Sequence, residues 1–332
     1  MPENPTPRQM ARDLLQGIAL PRPLFLPIVF SLGARVENLP LRAFLTNPTR
    51  ITNALRQIRG RVPADGVTSY FDPLLEVEAL GAVLRWESDN QPPSIGWPGP
   101  ADKGELPEGL SSPEEAVKAE RIAVAAEVIR RLSALLREDT LLMAGVSGPF
   151  TLAAQLLQFG EQEMASTDDV SGSALDLGTA MLTQTASVFV EAGAHVIVIH
   201  EDVLPRLSHE SADDWANRLS PVINIIHFYG ALPLLLLTNP AAVRQNFELL
   251  ANRDWEAVLC LALEASSLTG WPFTGAAKLG VALAPNCLQP DPALMKRIES
   301  LHPAVVTTAG DVPSSADVKQ LAAICEEVRR WR

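Results

Sequence analysis

Residues 144–160, with the sequence AGVSGPFTLAAQLLQFG, decide how this chain folds. An apolar run from Leu141 to Val146 reaches Ser147-Gly148-Pro149, and a helical pattern begins at about Thr151. Glycine permits a tight turn and proline fixes φ, so the backbone bends sharply where a strand passes into a helix. In an α/β protein such a junction lies at the carboxyl end of a strand, where ligand-binding groups collect.

The same alternation of apolar, β-prone runs and helical patterns extends along the chain. Eight runs are expected to form strands: residues 24–30, 66–71, 141–146, 195–200, 233–237, 257–261, 279–283 and 304–308. Helix-start signals lie between them, including Ser112-Pro113-Glu114-Glu115, Asn47-Pro48 and Ser220-Pro221. Continuous apolar strands alternating with helices predict an α/β protein with a parallel sheet. At 332 residues a closed (β/α)8 TIM barrel is the economical form, and an open doubly wound sheet is the alternative.

Two segments fall outside this alternation. Residues 1–20 predict an N-terminal helix, from Thr6-Pro7 to Gly17, before the barrel. Residues 86–112 are rich in Pro, Gly and acidic side chains, which predicts a long loop after the second strand. No internal repeat is visible, so we expect residues 1–332 to form one domain.

Composition excludes several classes of function. The formal net charge of −12 argues against nucleic-acid binding, which needs a basic surface. The sequence contains no run of eighteen apolar residues and no basic-then-apolar leader, so we expect neither a membrane span nor a secretory signal. Cys260, Cys287 and Cys325 are isolated, as is typical of a reduced, cytoplasmic protein.

Four segments, in order along the chain, resemble the uroporphyrinogen decarboxylase superfamily. That superfamily also contains methyltransferases that serve corrinoid proteins and coenzyme M. The matching segments are residues 70–72 with 77–81, 144–160, 192–197 and 306–313, within a resemblance that covers roughly residues 22 to 330. The resemblance implies the barrel fold and a pocket at the carboxyl ends of its strands, and it is our reason to expect a homodimer.

Polar side chains at the predicted strand ends form the candidate site. Asp72 is the first candidate catalytic residue, because a carboxylate at the end of an apolar strand must be solvated, paired or functional. In the decarboxylases a matching aspartate contacts pyrrole N–H groups and stabilises a cationic intermediate. Glu201, Asp202 and His200 are candidates for relaying protons. The candidate substrate-binding residues are Arg35, Tyr70, Phe150, Gln155, Asp202, Asn239, Asn286, Thr308 and Asp311.

Departures from the family pattern limit what the resemblance implies. Uroporphyrinogen decarboxylases carry an arginine-rich loop after the first strand, whereas here Arg35 stands alone. Gln155 replaces a tyrosine, and residues 308–311 lack the last-strand histidine. A polyanionic tetrapyrrole would meet too little positive charge, so we expect a substrate other than uroporphyrinogen.

The zinc site of the methyltransferase branch is also missing from the sequence. That branch holds zinc with His-x-Cys on the fifth strand and Cys on the eighth. Here those positions read Leu237-Thr238-Asn239 and Gly310. We therefore expect no bound metal and no cofactor of the chain's own.

Three hypotheses follow. The first is a metal-free lyase that decarboxylates a small-molecule substrate, with Asp72 stabilising a protonated intermediate. The second is a zinc-free methyltransferase or demethylase that works with a separate corrinoid protein. The third is a non-catalytic relative that binds a tetrapyrrole or a partner protein.

Overall fold

The computed structural model describes residues 5–98, 102–136, 139–160, 170–251, 253, 255–262, 279–286 and 292–331. The strands in this part of the chain are β1 (Leu24–Leu26), β2 (Gly66–Tyr70), β3 (Val83–Arg85), β4 (Ser94–Gly96), β5 (Leu141–Ser147), β6 (Val196–Glu201), β7 (Leu232–Leu237), β8 (Val258–Ala262), β9 (Leu279–Leu283) and β10 (Val305–Thr308). The helices are α1 (Pro7–Leu15), α2 (Leu32–Val36), α3 (Leu41–Phe44), α4 (Pro48–Arg61), α5 (Leu75–Ala79), α6 (Pro113–Ala116), α7 (Glu120–Leu135), α8 (Pro149–Leu156), α9 (Gly172–Glu191), α10 (His209–Phe228), α11 (Pro240–Gln245), α12 (Phe247–Ala251), α13 (Pro292–Ser300) and α14 (Val318–Val328).

Eight of the strands form one parallel sheet that curls into a nearly closed barrel. Their order is β1-β10-β9-β8-β7-β6-β5-β2, and each neighbouring pair is parallel. The strands are buried throughout, as expected when helices cover one face and packed side chains fill the other. The predicted (β/α)8 TIM barrel is confirmed.

The seam between β1 and β2 is closed by side chains as well as backbone. The amide of Asp65 donates to the carbonyl of Phe25 at 3.0 Å. Thr68 Oγ1 donates to the carbonyl of Pro27 at 3.1 Å and accepts from the amide of Val29 at 3.2 Å. Because Pro27 has no N–H for a ladder, β1 ends at Leu26, and the expected strand over residues 24–30 is shorter than predicted.

A second local difference concerns the proline within α10. The pair Ser220-Pro221 predicted a helix start, but α10 begins twelve residues earlier in a capping box between Ser208 and Ser211. Pro221 lies on the exposed side of this helix. Water can bond the backbone carbonyl that a proline leaves unpaired there, so the helix continues through it.

The segments outside the barrel follow the sequence in part. The expected N-terminal helix is α1, and its cap Thr6 accepts from the amide of Gln9. The predicted long loop over residues 86–112 includes β4, which pairs antiparallel with β3. Residues 99–101 of this loop lie outside the described residues. None of the helices in the described part of the chain combines the length and apolarity that a membrane span requires.

Candidate active site

A cavity of about 760 Å³ lies at the carboxyl ends of the barrel strands. Its walls come from the segments after β1, β2, β6 and β10 and from the turn between β3 and β4. Much of the wall is apolar and includes Leu39, Leu41 and Leu45. Four of the predicted site residues contribute charge to the lining: Arg35, Asp72, Asp202 and Asp311. The cavity is therefore an apolar chamber with a mainly acidic set of polar groups.

Asp72 is held rigidly at the cavity wall by two partners. Its Oδ1 accepts from the amide of Leu74 at 2.9 Å, and its Oδ2 accepts from the guanidinium of Arg121. Arg121 also donates to Glu78 at 2.6 Å. The side chains of Asp72 and Arg121 are each 9% exposed, so little water screens this ion pair. The carboxylate thus has a fixed position and a fixed counter-charge.

Tyr70 lies behind the wall rather than in the cavity lining. It is fully buried, its hydroxyl donates to the carbonyl of Leu45 at 2.9 Å, and Arg121 lies 3.4 Å from the same oxygen. Burial raises the pKa of this phenol. Because Leu45 lines the cavity, Tyr70 supports the wall from outside.

Asp202 connects the cavity with the buried end of β6. Thr238 Oγ1 donates to its Oδ1 at 2.5 Å, and His200 Nδ1 lies 3.5 Å from its Oδ2. Burial would raise the pKa of Asp202, but His200 and Thr238 outweigh that effect and hold it below the usual range. Burial likewise lowers the pKa of His200, yet Asp202 and the neighbouring acids Glu76 and Glu201 raise it above the usual value.

Glu201 lies at the N-terminus of α8, outside the cavity lining, and accepts four hydrogen bonds. Thr151 donates to Oε2 from both its amide and its hydroxyl at 2.8 Å. The amide of Phe150 and the indole Nε1 of Trp215 donate to Oε1, each at 3.2 Å. Burial raises the pKa of Glu201 to about 7, and the bonds from Thr151 and Phe150 oppose that rise. The carboxylate therefore satisfies the first turn of α8.

Gly148 is what allows Glu201 to approach α8 so closely. A Cβ on Gly148 would lie 2.3 Å from Glu201 Cδ. The backbone of Gly148 is extended, with φ −71° and ψ 165°, so the chain direction does not require glycine. The Ser-Gly-Pro-Phe turn thus needs glycine for the close approach of a side chain from the next strand.

Other predicted site residues hold the rim of the barrel in place. Asp311 accepts from the amides of Phe30 and Ser31 at 2.7 and 2.8 Å, and burial raises its pKa to about 6. Gln155 Nε2 donates to the carbonyl of Pro73 at 2.9 Å, and Pro73 lines the cavity. Arg35 donates to the carbonyl of Ala316 at 2.6 Å.

The remaining predicted residues lie away from the cavity lining. Asn239 caps α11 by accepting from the amides of residues 241 and 242. Thr308 Oγ1 donates to the carbonyl of Gly310 at 2.7 Å. Phe150 packs against Trp215 with ring centroids 6.3 Å apart, and Asn286 is exposed. These placements describe geometry, and the roles predicted for these residues stay predictions.

The residues at the positions of the zinc ligands in the methyltransferase branch do not fit a zinc ion. Thr238 is bonded to Asp202 and Asn239 caps a helix, while Leu237 and Gly310 offer no side-chain donor. Across the described ranges, no three His, Cys, Asp or Glu side chains are grouped as a metal site requires. Cys287 lies outside the described residues.

Sequence reasoning missed two important groups, Arg121 and Glu76. Arg121 is near the start of α7 and is indistinguishable in sequence from ordinary helix-surface charge. Glu76 stands two residues before Glu78 on α5, and residues two apart on a helix face different directions. Two acids at positions i and i+2 of a packed helix therefore indicate that one of them faces the protein interior. Here Glu76 is buried and Glu78 bonds Arg121.

Comparisons with known proteins agree with the fold. A sequence model of the family described as uroporphyrinogen decarboxylase (URO-D) matches residues 8–228. The methylcobamide:CoM methyltransferase MtaA of Methanosarcina barkeri is 30% identical over 130 residues, which are 38% of this chain and 37% of that protein. The match therefore spans little more than a third of that relative's length.

Two solved structures share the architecture over nearly the whole chain. A methyltransferase from Methanosarcina mazei superposes with a TM-score of 0.78 at 19% identity, covering 98% of both chains. A B12-independent methionine synthase from Shewanella sp. W3-18-1 superposes with a TM-score of 0.52 at 12% identity, covering 94% of this chain and 96% of the other. Identities this low show a common fold and nothing finer.

Proposed function

The chain belongs to the uroporphyrinogen decarboxylase family, and we propose that it transfers a methyl group between a small uncharged or cationic compound and a corrinoid on a separate protein. The small compound would occupy the cavity at the barrel mouth. The observation that carries this proposal is the charge of the cavity, which is mainly acidic. The proposal is also supported by a sequence relative that is itself a methyltransferase, MtaA.

The cavity lining offers an acidic substrate one guanidinium, that of Arg35, against three carboxylates. Asp72, Asp202 and Asp311 line it. Arg35 donates to a backbone carbonyl, and Arg121 is divided between two carboxylates. Like charges 4 Å apart repel by about 4 kcal/mol at an effective dielectric constant of 20. A polycarboxylate such as uroporphyrinogen would meet such repulsion several times over, whereas a neutral or cationic methyl compound would not.

The chain's own residues would bind and orient the small compound. The apolar wall around Leu39, Leu41 and Leu45 favours a methyl-bearing group, since burying apolar surface is worth about 25 cal/mol per Å². Asp72, fixed by Arg121, and Asp202, fixed by Thr238, would bind the polar or cationic end. The corrinoid on the partner would supply cobalt as the methyl carrier when the two proteins are docked.

A panel assay tests this proposal. The chain is incubated anaerobically with reduced cobalamin, as a substitute for the partner, and with methylated amines, ethers and thiols. Methylation of the cobalt is followed by its absorbance. We expect turnover with at least one neutral or cationic donor and at least a tenfold loss in Asp202→Asn, because a fixed anion that orients the donor is removed. Glu114→Gln, on an exposed position of α6, is the control. Turnover equal in Asp202→Asn and wild type would contradict the assigned binding role.

Decarboxylation is the second candidate, because the fixed carboxylate of Asp72 lies at the cavity wall. A preorganised anion beside developing positive charge lowers the barrier to forming a protonated intermediate. The test is anaerobic incubation with uroporphyrinogen, separation of the products by chromatography, and an Asp72→Asn control. Decarboxylated products that disappear in the variant would replace the methyl-transfer proposal. Binding without turnover in both assays would instead favour a non-catalytic relative.

The homodimer expected from the resemblance stays a prediction. Light scattering of the full chain at micromolar concentration decides it, and a clean monomer would remove the expectation.

A further inference from the structure

A line of polar groups runs from the cavity into the interior of the barrel. Asp202 lines the cavity, and His200 Nδ1 lies 3.5 Å from its Oδ2 without a hydrogen-bond partner among the described residues. On the other side of the imidazole, Nε2 lies 3.4 Å from Ser147 Oγ. Ser147 Oγ in turn lies 3.2 Å from Glu76 Oε2 and equally close to the carbonyl oxygen of Pro73. His200, Ser147 and Glu76 are all buried, so the line has one end in the cavity and the other in the interior.

Glu76 is poorly equipped to hold a negative charge. Its Oε2 receives one hydrogen bond from Ser147, and its Oε1 has no hydrogen-bond partner within the described part of the chain. A buried carboxylate with so few donors strongly favours its protonated form. Burial accordingly raises the pKa of Glu76 to about 7. Glu201 nearby has four donors, although burial raises its pKa to about 7 as well.

We propose that Glu76, Ser147, His200 and Asp202 form a proton relay in which Glu76 stores a proton that is delivered to a ligand in the cavity. A proton leaves His200 Nδ1 through Asp202 to the ligand. His200 Nε2 takes a proton from Ser147 Oγ, which takes one from Glu76. Glu76 becomes a carboxylate, the ligand gains one proton, and the net charge of protein and ligand together is unchanged.

The relay fits either reaction considered above and depends on neither. Decarboxylation puts a proton where CO₂ has left. Transfer of a methyl group from a neutral donor to reduced cobalt leaves an anion that takes up a proton. In both cases Asp202 is the member of the line that lies at the cavity. Glu76, Ser147 and His200 are positioning and supply groups that do not touch the ligand.

The charged groups around the relay are few in the described structure. His200 faces Asp202 and Glu201 on its own strand end, Glu76 on α5, and the ring of Phe71 at 5.1 Å. Glu76 faces His200 and, more weakly, Asp72. A change in the charge of Glu76 must therefore be felt at His200, which makes the imidazole a reporter of the buried acid.

A ligand-free titration of His200 tests the relay separately from any activity. The full chain is labelled at histidine, the resonance of His200 is identified by its loss in His200→Gln, and its midpoint is measured by NMR. Glu76→Gln removes the negative charge that Glu76 acquires above its pKa of about 7, so the midpoint of His200 falls, by about 1 pH unit. Ser147→Ala removes an acceptor for the imidazolium, so the midpoint also falls, by about half a unit or more. Glu78→Gln, on the same helix but bonded to Arg121, leaves the midpoint in place.

The titration midpoints of the variants distinguish the relay from a purely structural cluster. Unchanged midpoints in folded Glu76→Gln and Ser147→Ala would overturn the relay, and so would an equal shift in Glu78→Gln. If circular dichroism shows that Glu76→Gln does not fold, Ser147→Ala decides, because it keeps every charge. Once a substrate is found, Ser147→Ala should lower kcat about a hundredfold with KM within twofold and enlarge the solvent deuterium isotope effect. A purely structural serine would leave that isotope effect unchanged.

Discussion

Gly148→Ala is expected to destabilise the barrel by pushing Glu201 away from α8. An added Cβ would lie 2.3, 2.5 and 2.7 Å from Cδ, Oε1 and Cγ of Glu201, all well inside van der Waals contact. The backbone at Gly148 is extended, so alanine itself is not strained there. The perturbation is therefore steric, and it acts on one buried carboxylate.

The magnitude follows from two effects. Overpacking a buried contact costs about 1 to 3 kcal/mol. Moving the carboxylate weakens the bonds that Phe150 and Trp215 donate to Oε1, and a hydrogen bond to a charged group is worth about 1.5 to 3 kcal/mol. We expect the free energy of unfolding to fall by about 3 to 5 kcal/mol.

A double-mutant cycle in urea, followed by circular dichroism, measures this cost and its cause. Glu201→Ala removes all three clashing atoms, so Gly148→Ala should cost less than about 1 kcal/mol in that background. Gly172→Ala is the control, because a Cβ there meets nothing within 4 Å. We expect that change to be neutral or stabilising by up to about 1 kcal/mol. An equal cost of Gly148→Ala in both backgrounds, or a cost below about 1 kcal/mol in the wild type, would refute the reasoning.

Three further predictions concern the seam, the buried acid and the ion pair at the cavity. Thr68→Val removes the hydroxyl that bonds both the Pro27 carbonyl and the Val29 amide. The free energy of unfolding measured in urea should fall by about 3 kcal/mol, and a fall below about 1 kcal/mol would contradict this role of Thr68. Burial raises the pKa of Glu76 in the folded state from 4.5 to about 7. Between these two values the native state binds more protons than the unfolded state, so the free energy of unfolding falls as the pH rises. Glu76→Gln should therefore gain up to about 3 kcal/mol relative to wild type between pH 4.5 and 8, and parallel pH profiles of the two proteins would disprove this. Arg121→Met leaves the carboxylate of Asp72 without its counter-charge at the cavity wall. The free energy of unfolding in urea should fall by about 3 to 5 kcal/mol, and an unchanged value would show that water replaces the arginine.

The outcome of the sequence predictions depended on how local their signals are. Eight apolar runs were sufficient for the barrel, and Asn47 and Ser112 cap α4 and α6 as residue type and spacing indicate. The prolines were harder to interpret. Pro27 shortened β1 because it has no N–H for the ladder, while Pro221 stayed inside α10 because a capping box at Ser208 starts that helix earlier.

The sequence by itself determined the barrel and the rim on which the candidate residues lie. Periodicity, caps and turns are carried by residues a few positions apart, so they can be recognised without knowing the fold. The tertiary structure alone decided which polar groups share an environment. Ser147 meets Glu76 across 71 positions and His200 across 53. Burial and hydrogen bonding then determine which acid keeps a proton, because the free energy of a buried charge depends on neighbours that sequence spacing does not reveal.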